Sequence, residues 1–98
     1  MSGYHEVVVV PVELLFIEIN GVEFVALKKM DGDRLVLMRD NGDEEVEEIK
    51  RDAVNGIPLS VTEDSFTHGP TIQDIRNRNR GGVKITPFIP ANMGIAVA

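Results

Sequence analysis

The side chains able to do chemistry are few and scattered. His5 and His68 are the two imidazoles in 98 residues, and there is no cysteine. Asp64, Ser65 and His68 place a carboxylate, a hydroxyl and an imidazole close together along the chain. A nucleophilic triad, however, needs side chains that converge from separate elements, and closeness within one loop does not provide that. Two histidines without a ligand spacing, and no thiolate, do not compose a zinc site. Asp31-Gly32-Asp33 and the run Asp40 to Asp43 gather carboxylates, but neither continues into the bidentate glutamate that completes a calcium loop, and tight turns use aspartate for their own reasons. No glycine-rich loop is placed to cradle phosphate. The expectation is a protein that is not an enzyme and has no cofactor and no metal.

Charge is organised where chemistry is not. The net charge is −6. Residues 1–67 carry six basic against fifteen acidic side chains, a balance of −9, whereas residues 68–98 carry Arg76, Arg78, Arg80 and Lys84 against Asp74, a balance of +3. An acidic body joined to a basic segment is a statement about contacts rather than about fold. The three arginines are two apart, so an extended chain would align them on one face and a helix would splay them. Such a row suits carboxylates or phosphates. Carboxylates are available in this same chain at Asp43, Glu44, Glu45, Glu47 and Glu48.

The elements that must carry these charges read as strands. Val, Ile, Leu and Met supply the apolar content, only 5% of the chain is aromatic, and β-branched residues favour extended structure. Glu6 to Val10 opens a valine run. Pro11 interrupts it at a position that must be an edge, bend or bulge, and Val12 to Ile19 resumes it. Asn20-Gly21 is the signature of a tight hairpin turn, which predicts a return strand over Val22 to Lys29. A third strand is predicted over Arg34 to Arg39, with Leu35 and Leu37 on one face and Val36 and Met38 on the other. A fourth is predicted over Glu44 to Lys50, with Val46 inward and Glu45 and Glu47 outward. One helical turn over Arg51 to Asn55 and a fifth strand over Ile57 to Val61 follow. A short helix from about Thr71 to Asn77 starts just after Pro70. Turn signals about every ten residues indicate an antiparallel meander. The fold class is therefore all-β, a small meander closing into an SH3-like barrel or compact sandwich, because closure removes exposed edges.

The C-terminal part divides the chain into a barrel-like body over 1–67 and a basic-then-apolar arm over 68–98, the latter able to contribute a last strand. Past Lys84 there is no charged side chain, and Ile85, Phe88, Ile89, Met93, Ile95 and Val97 are apolar. Burying such side chains stabilises by roughly 1.5–3 kcal/mol each, a large sum for a domain of this size. Val83 to Ile89 has the composition of a last strand of its own barrel. Pro87, Pro90 and the small residues after them point instead to a partner as the surface that receives 85–98.

These features predict an assembly protein. In the leading reading a β-barrel subunit stabilises a larger structure, such as a viral capsid or similar lattice, through its C-terminal arm. The contact residues would be Arg76, Arg78, Arg80, Ile85, Phe88, Ile89, Met93 and Ile95, and the partner a further copy or a larger protein assembly. A basic arm on a neighbour's acidic segment makes a head-to-tail contact, which closes into a ring or continues as a lattice. A second reading is an inhibitor or regulator that imitates nucleic acid with Asp43, Glu44, Glu45, Glu47 and Glu48. A third is an SH3-like module associated with nucleic acid through the arm, although the −9 body disfavours that partner. No apolar run is long and uncharged enough to span a bilayer, and no basic residue precedes the first one as in a signal peptide. A soluble protein of the cytoplasm or a virion is expected.

Overall fold

The structure is a computed structural model that describes residues 6–89. Its elements run β1 (Val9–Ile19), β2 (Val22–Lys29), β3 (Leu35–Arg39), α1 (Glu44–Val54), β4 (Ser60–Thr62), a 3₁₀ turn (Glu63–Phe66), α2 (Ile72–Arg78) and β5 (Val83–Pro87). The strands form one antiparallel sheet that curls into a half-barrel, an all-β arrangement compatible with an SH3-like barrel.

The hairpin β1–β2 is the frame. Asn20 and Gly21 take φ angles of 50° and 86°, as a tight turn between twisted strands requires, and the pairing runs without a break from Ile19↔Val22 to Val12↔Lys29. Pro11 lies one residue beyond that ladder, where β2 has no strand partner for its missing N–H. β3 adds to β2 through Leu27↔Val36 and its neighbours. The other edge of β1 is divided. Val9, Val10 and Pro11 pair with β4, and Leu15 to Ile19 pair with β5. Between the two partners, the Val12 amide donates to the Leu59 carbonyl (3.1 Å) and the Phe88 amide donates to the Leu14 carbonyl (3.0 Å).

Both faces of this sheet are covered. Val12, Leu14, Val25 and Leu27 belong to one buried cluster, with Val46 and Ala53 of α1 and with Phe66, while Val36 and Met38 pack against it. Leu15, Ile17, Ala26 and Leu35 belong to a second, with Ile75 of α2, and Leu37 and Ile85 pack against that one. Successive strand residues point to opposite faces, so α1 and α2 lie on opposite sides of the sheet. This is why the strands are apolar at nearly every position.

The expected fourth strand over Glu44 to Lys50 is instead the first two turns of α1. Val46, Ile49, Lys50 and Ala53 recur with the period of a helix, and Val46 and Ala53 are buried. Glu44, Glu45 and Glu47 sit in the first turn and Arg51 in the last, which suits the helix dipole. The helical turn expected over Arg51 to Asn55 is the end of this same helix. The expected fifth strand over Ile57 to Val61 is the shorter strand Ser60–Thr62; Pro58 has no N–H for a ladder, and the Leu59 carbonyl accepts from the Val12 amide just before the pairing begins. α2 extends one residue past the expected end. Thr71 and Asp74 form a reciprocal cap: the Asp74 amide donates to Thr71 Oγ1 and the Thr71 amide to Asp74 Oδ2, each at 3.0 Å. At the other end Asn79 Nδ2 donates to the Ile75 carbonyl at 2.9 Å.

Residues 83–87, placed by composition between a last strand and a partner, form β5 within this chain's own sheet. Ile85 packs on the second cluster and Phe88 on the first. Met93 and Ile95 lie outside the described residues, as does His5.

Candidate interaction faces

The basic segment is helical, not extended. Arg76 and Arg78 belong to α2, so they diverge around it rather than forming a single row, and Arg80 follows its C-terminal cap. All three are exposed. α2 is fixed to the sheet by Ile75, which is buried, and by Ile72. Its Asp74 carboxyl is held below the usual carboxylate range, first by the Thr71 amide hydrogen bond, then by the Thr71 hydroxyl and by the positive charges of Arg78 and Arg34.

The acidic residues occupy the opposite side of the sheet. Glu44, Glu45 and Glu48 are exposed on α1, and Asp43 is its N-cap residue, with no side-chain cap bond. Glu47 is drawn inward by Lys50, which also reaches Asp40: Lys50 Nζ lies 3.1 Å from Asp40 Oδ1 and 3.2 Å from Glu47 Oε2. The hydrogen bond to Asp40, then that to Glu47, raises the Lys50 pKa above the ordinary lysine value. Among the described residues the remaining ion pairs are Lys28–Glu13 and Lys29–Glu63. None of the pairs uses Arg76, Arg78, Arg80, Glu44, Glu45 or Glu48. Among the described residues, positive side chains without an ion-pair partner thus lie on the α2 side of the sheet and negative ones on the α1 side.

A third feature had no signature in the sequence. Where β1 passes from β4 to β5, the two partners diverge and leave a groove of about 360 Å³. Val12 and Leu14 line it from β1, Ala53 from the end of α1, Leu59 and Phe88 from its two sides. Met30 and Ile57, also lining residues, are 62% and 49% exposed, so the rim is apolar and wet. Ile57 and Met30 are unremarkable as sequence. They become a surface only because one strand changes partner between them.

The residues first considered for catalysis sit on the 3₁₀ turn and just after it. The Ser65 hydroxyl lies 2.9 Å from that of Thr62, and Asp64 and His68 are exposed. Among the described residues no three His, Asp or Glu side chains gather as a metal ion would require, and no helix is long and apolar enough to cross a membrane. Comparison with protein-family models, with curated proteins and with solved structures finds no match.

Proposed function

We propose that this protein is a non-enzymatic assembly subunit that binds copies of itself head-to-tail, the α2 arginines of one copy meeting the α1 carboxylates of the next. The observation that supports this reading is the placement of Arg76, Arg78 and Arg80 and of Glu44, Glu45 and Glu48 on opposite faces of one sheet, exposed and without ion pairs among the described residues. Opposite faces cannot satisfy each other within a molecule. Two molecules in the same orientation satisfy them, and the contact repeats. Exposed ion pairs contribute only about 0.2–1 kcal/mol each, so these charges orient the contact and set its salt dependence more than its strength. A virion shell or comparable lattice, where many weak contacts repeat, is the setting that suits such a subunit.

Sedimentation velocity at low ionic strength tests the proposal. The wild-type chain should associate, and the triple variants R76E/R78E/R80E and E44K/E45K/E48K should each be monomeric. An equimolar mixture of the two should associate again, because each now offers what the other lost. A wild-type monomer at every salt and protein concentration would sink the reading, as would association indifferent to both triple substitutions.

The placement of the acidic residues on a helix also favours a second reading, a nucleic-acid mimic. Glu44 and Glu48 stand one turn apart on one exposed stripe, spread along a surface rather than clustered at a hairpin tip. The target would be a basic nucleic-acid-binding protein. Displacement of DNA or RNA from such a protein by wild type but not by E44K/E45K/E48K would distinguish it from self-assembly.

A further inference from the structure

β3 is the end strand of the sheet, with β2 on one side and no strand on the other among the described residues. We infer that two copies of the protein pair along this edge, β3 against β3, antiparallel about a two-fold axis at Met38. The direction of each main-chain group follows from alternation along the strand. The Asp40 amide donates to the Glu23 carbonyl at 2.9 Å, so Asp40, Met38 and Val36 turn their amides and carbonyls toward β2. Leu35, Leu37 and Arg39 turn theirs outward. The Leu35 amide donates to the Pro70 carbonyl at 2.8 Å, and the Leu35 carbonyl lies against Gly69. Leu37 and Arg39 have no main-chain partner on this side among the described residues.

The edge also lacks the usual guards. Edge strands are kept from pairing by lysine, proline, a bulge or brevity. β5 carries Lys84 and Pro87, and β4 is 3 residues long. β3 reads Leu35-Val36-Leu37-Met38-Arg39, with its one charge at the end and an unbroken register against β2 from Lys28↔Leu35 to Phe24↔Arg39. Val36, Leu37 and Met38 are half-buried in a single copy.

A second β3 is the strand that fits. Because Leu35 is blocked, an incoming strand meets outward groups at Leu37 and Arg39 alone, and β3 offers the same two residues at the same spacing. About the axis at Met38, Leu37 of each copy faces Arg39 of the other, and each such pair exchanges both of its hydrogen bonds. Asp40 comes opposite Val36, so no like charges stand directly opposite. Opposed residues share a face, which puts both α1 helices on one side of the joined sheet and both α2 helices on the other. The pairing leaves the charged faces free and does not depend on the head-to-tail contact.

The absence of cysteine lets one substitution report the register. The two Met38 residues stand opposite each other at a pair without hydrogen bonds, with Cα atoms about 4.5 Å apart, a separation that a disulfide spans. Met38→Cys, oxidised with glutathione disulfide in concentrated solution at high salt, should give a dimer that reverts on reduction. Val36→Cys lies on the same face, but its two copies are about 14 Å apart, so it should stay monomeric. Equal cross-linking of both variants, or of neither, would overturn the inference. Sedimentation equilibrium of the cysteine-free chain at the same salt is the second measurement. A concentration-dependent dimer should form, and Leu37→Pro, which removes an outward amide and leaves the β2 ladder intact, should weaken it about tenfold or more. A dimer indifferent to Leu37→Pro would place the contact elsewhere, and a dimer seen only after deletion of residues 90–98 would make the chain's own end the occupant; either result overturns the pairing. Should Leu37→Pro fail to fold, the cysteine variants still decide. Pairing over so few residues is weak, so the charge-reversal comparison in dilute solution reads the head-to-tail contact alone, and each proposal fails on its own evidence.

Discussion

Phe88 stands edge-on to Phe16, with ring centroids 6.1 Å apart and planes at 68°. The contact ties the residue just past β5 to the middle of β1, on the same face as α1. Aromatic pairs in this geometry add to what their burial contributes. Phe88→Ala should therefore destabilise the protein by about 2 kcal/mol, less than the roughly 3–5 kcal/mol of a fully buried phenylalanine. Chemical denaturation of the two proteins measures the difference. The same contact separates two truncations. Removing residues from 85 onward deletes three of the five residues of β5 together with Phe88 and should abolish cooperative unfolding, whereas removing residues from 90 onward should retain it.

Lys50 predicts a dependence on alkaline pH. Its pKa is raised in the folded protein by Asp40 and Glu47, so its contribution is fully present below the ordinary lysine value of 10.5 and is lost as pH rises through the folded value. Lys50→Met should cost roughly 1 kcal/mol at neutral pH, as expected for a partly exposed pair. It should also flatten the alkaline limb of the stability profile. Thermal melts of both proteins between neutral pH and pH ~11, a range chosen around the lysine titration, check the difference.

The cap of α2 predicts the opposite limb. Asp74 is held below the usual carboxylate range, so its contribution is present above the ordinary aspartate value and is lost as pH falls through the depressed one. Thr71→Ala removes the hydroxyl that accepts from Asp74 and should cost about 1 kcal/mol. Hydrogen exchange in Ile72–Arg78 should quicken in that variant, and in the wild type at acid pH, before the β1–β2 ladder opens.

Two glycines make a paired prediction about close approach. A Cβ on Gly69 would strike the Leu35 carbonyl oxygen, which is backbone of β3 held by the sheet, whereas a Cβ on Gly82 would strike the Asn20 side-chain oxygen. Side chains rotate aside more readily than sheet backbone moves. Gly69→Ala should cost about 2–3 kcal/mol and Gly82→Ala about 1 kcal/mol or less, within the usual range for overpacking. Equilibrium unfolding ranks them, and equal costs would mean that β3 yields at Leu35.

Some of this was legible before the fold was known, and for identifiable reasons. Asn20-Gly21 announced its turn because few other residue pairs adopt those backbone angles. Leu35 and Leu37 read as one face of β3 and Val36 and Met38 as the other because strand residues alternate, and the two pairs pack in different clusters; that both faces are covered was not legible. Glu44 to Lys50 misled because Glu45, Val46 and Glu47 alternate as a strand would. Ile49 and Ala53, three and seven residues after Val46 and packed in its cluster, reveal the helical period. The charges on Arg76, Arg78 and Arg80 were visible as composition, but their opposition to Glu44, Glu45 and Glu48 across the sheet was not, because it depends on which face each helix covers. The groove was invisible altogether. It arises from residues far apart in sequence, such as Met30, Ile57 and Phe88, meeting where β1 changes partner.

That change of partner also orders the birth of the molecule. β1, β2 and β3 are adjacent in sequence and can pair as soon as they leave the ribosome, but the second edge of β1 must wait for Ser60–Thr62 and then for Val83–Pro87. Contacts between distant segments close slowly. Until then the strand at the centre of the sheet has an open flank, and a nascent chain held in that state is a template for its neighbours on the same message. β5, the later of the two partners on that flank, is the strand that retires this hazard.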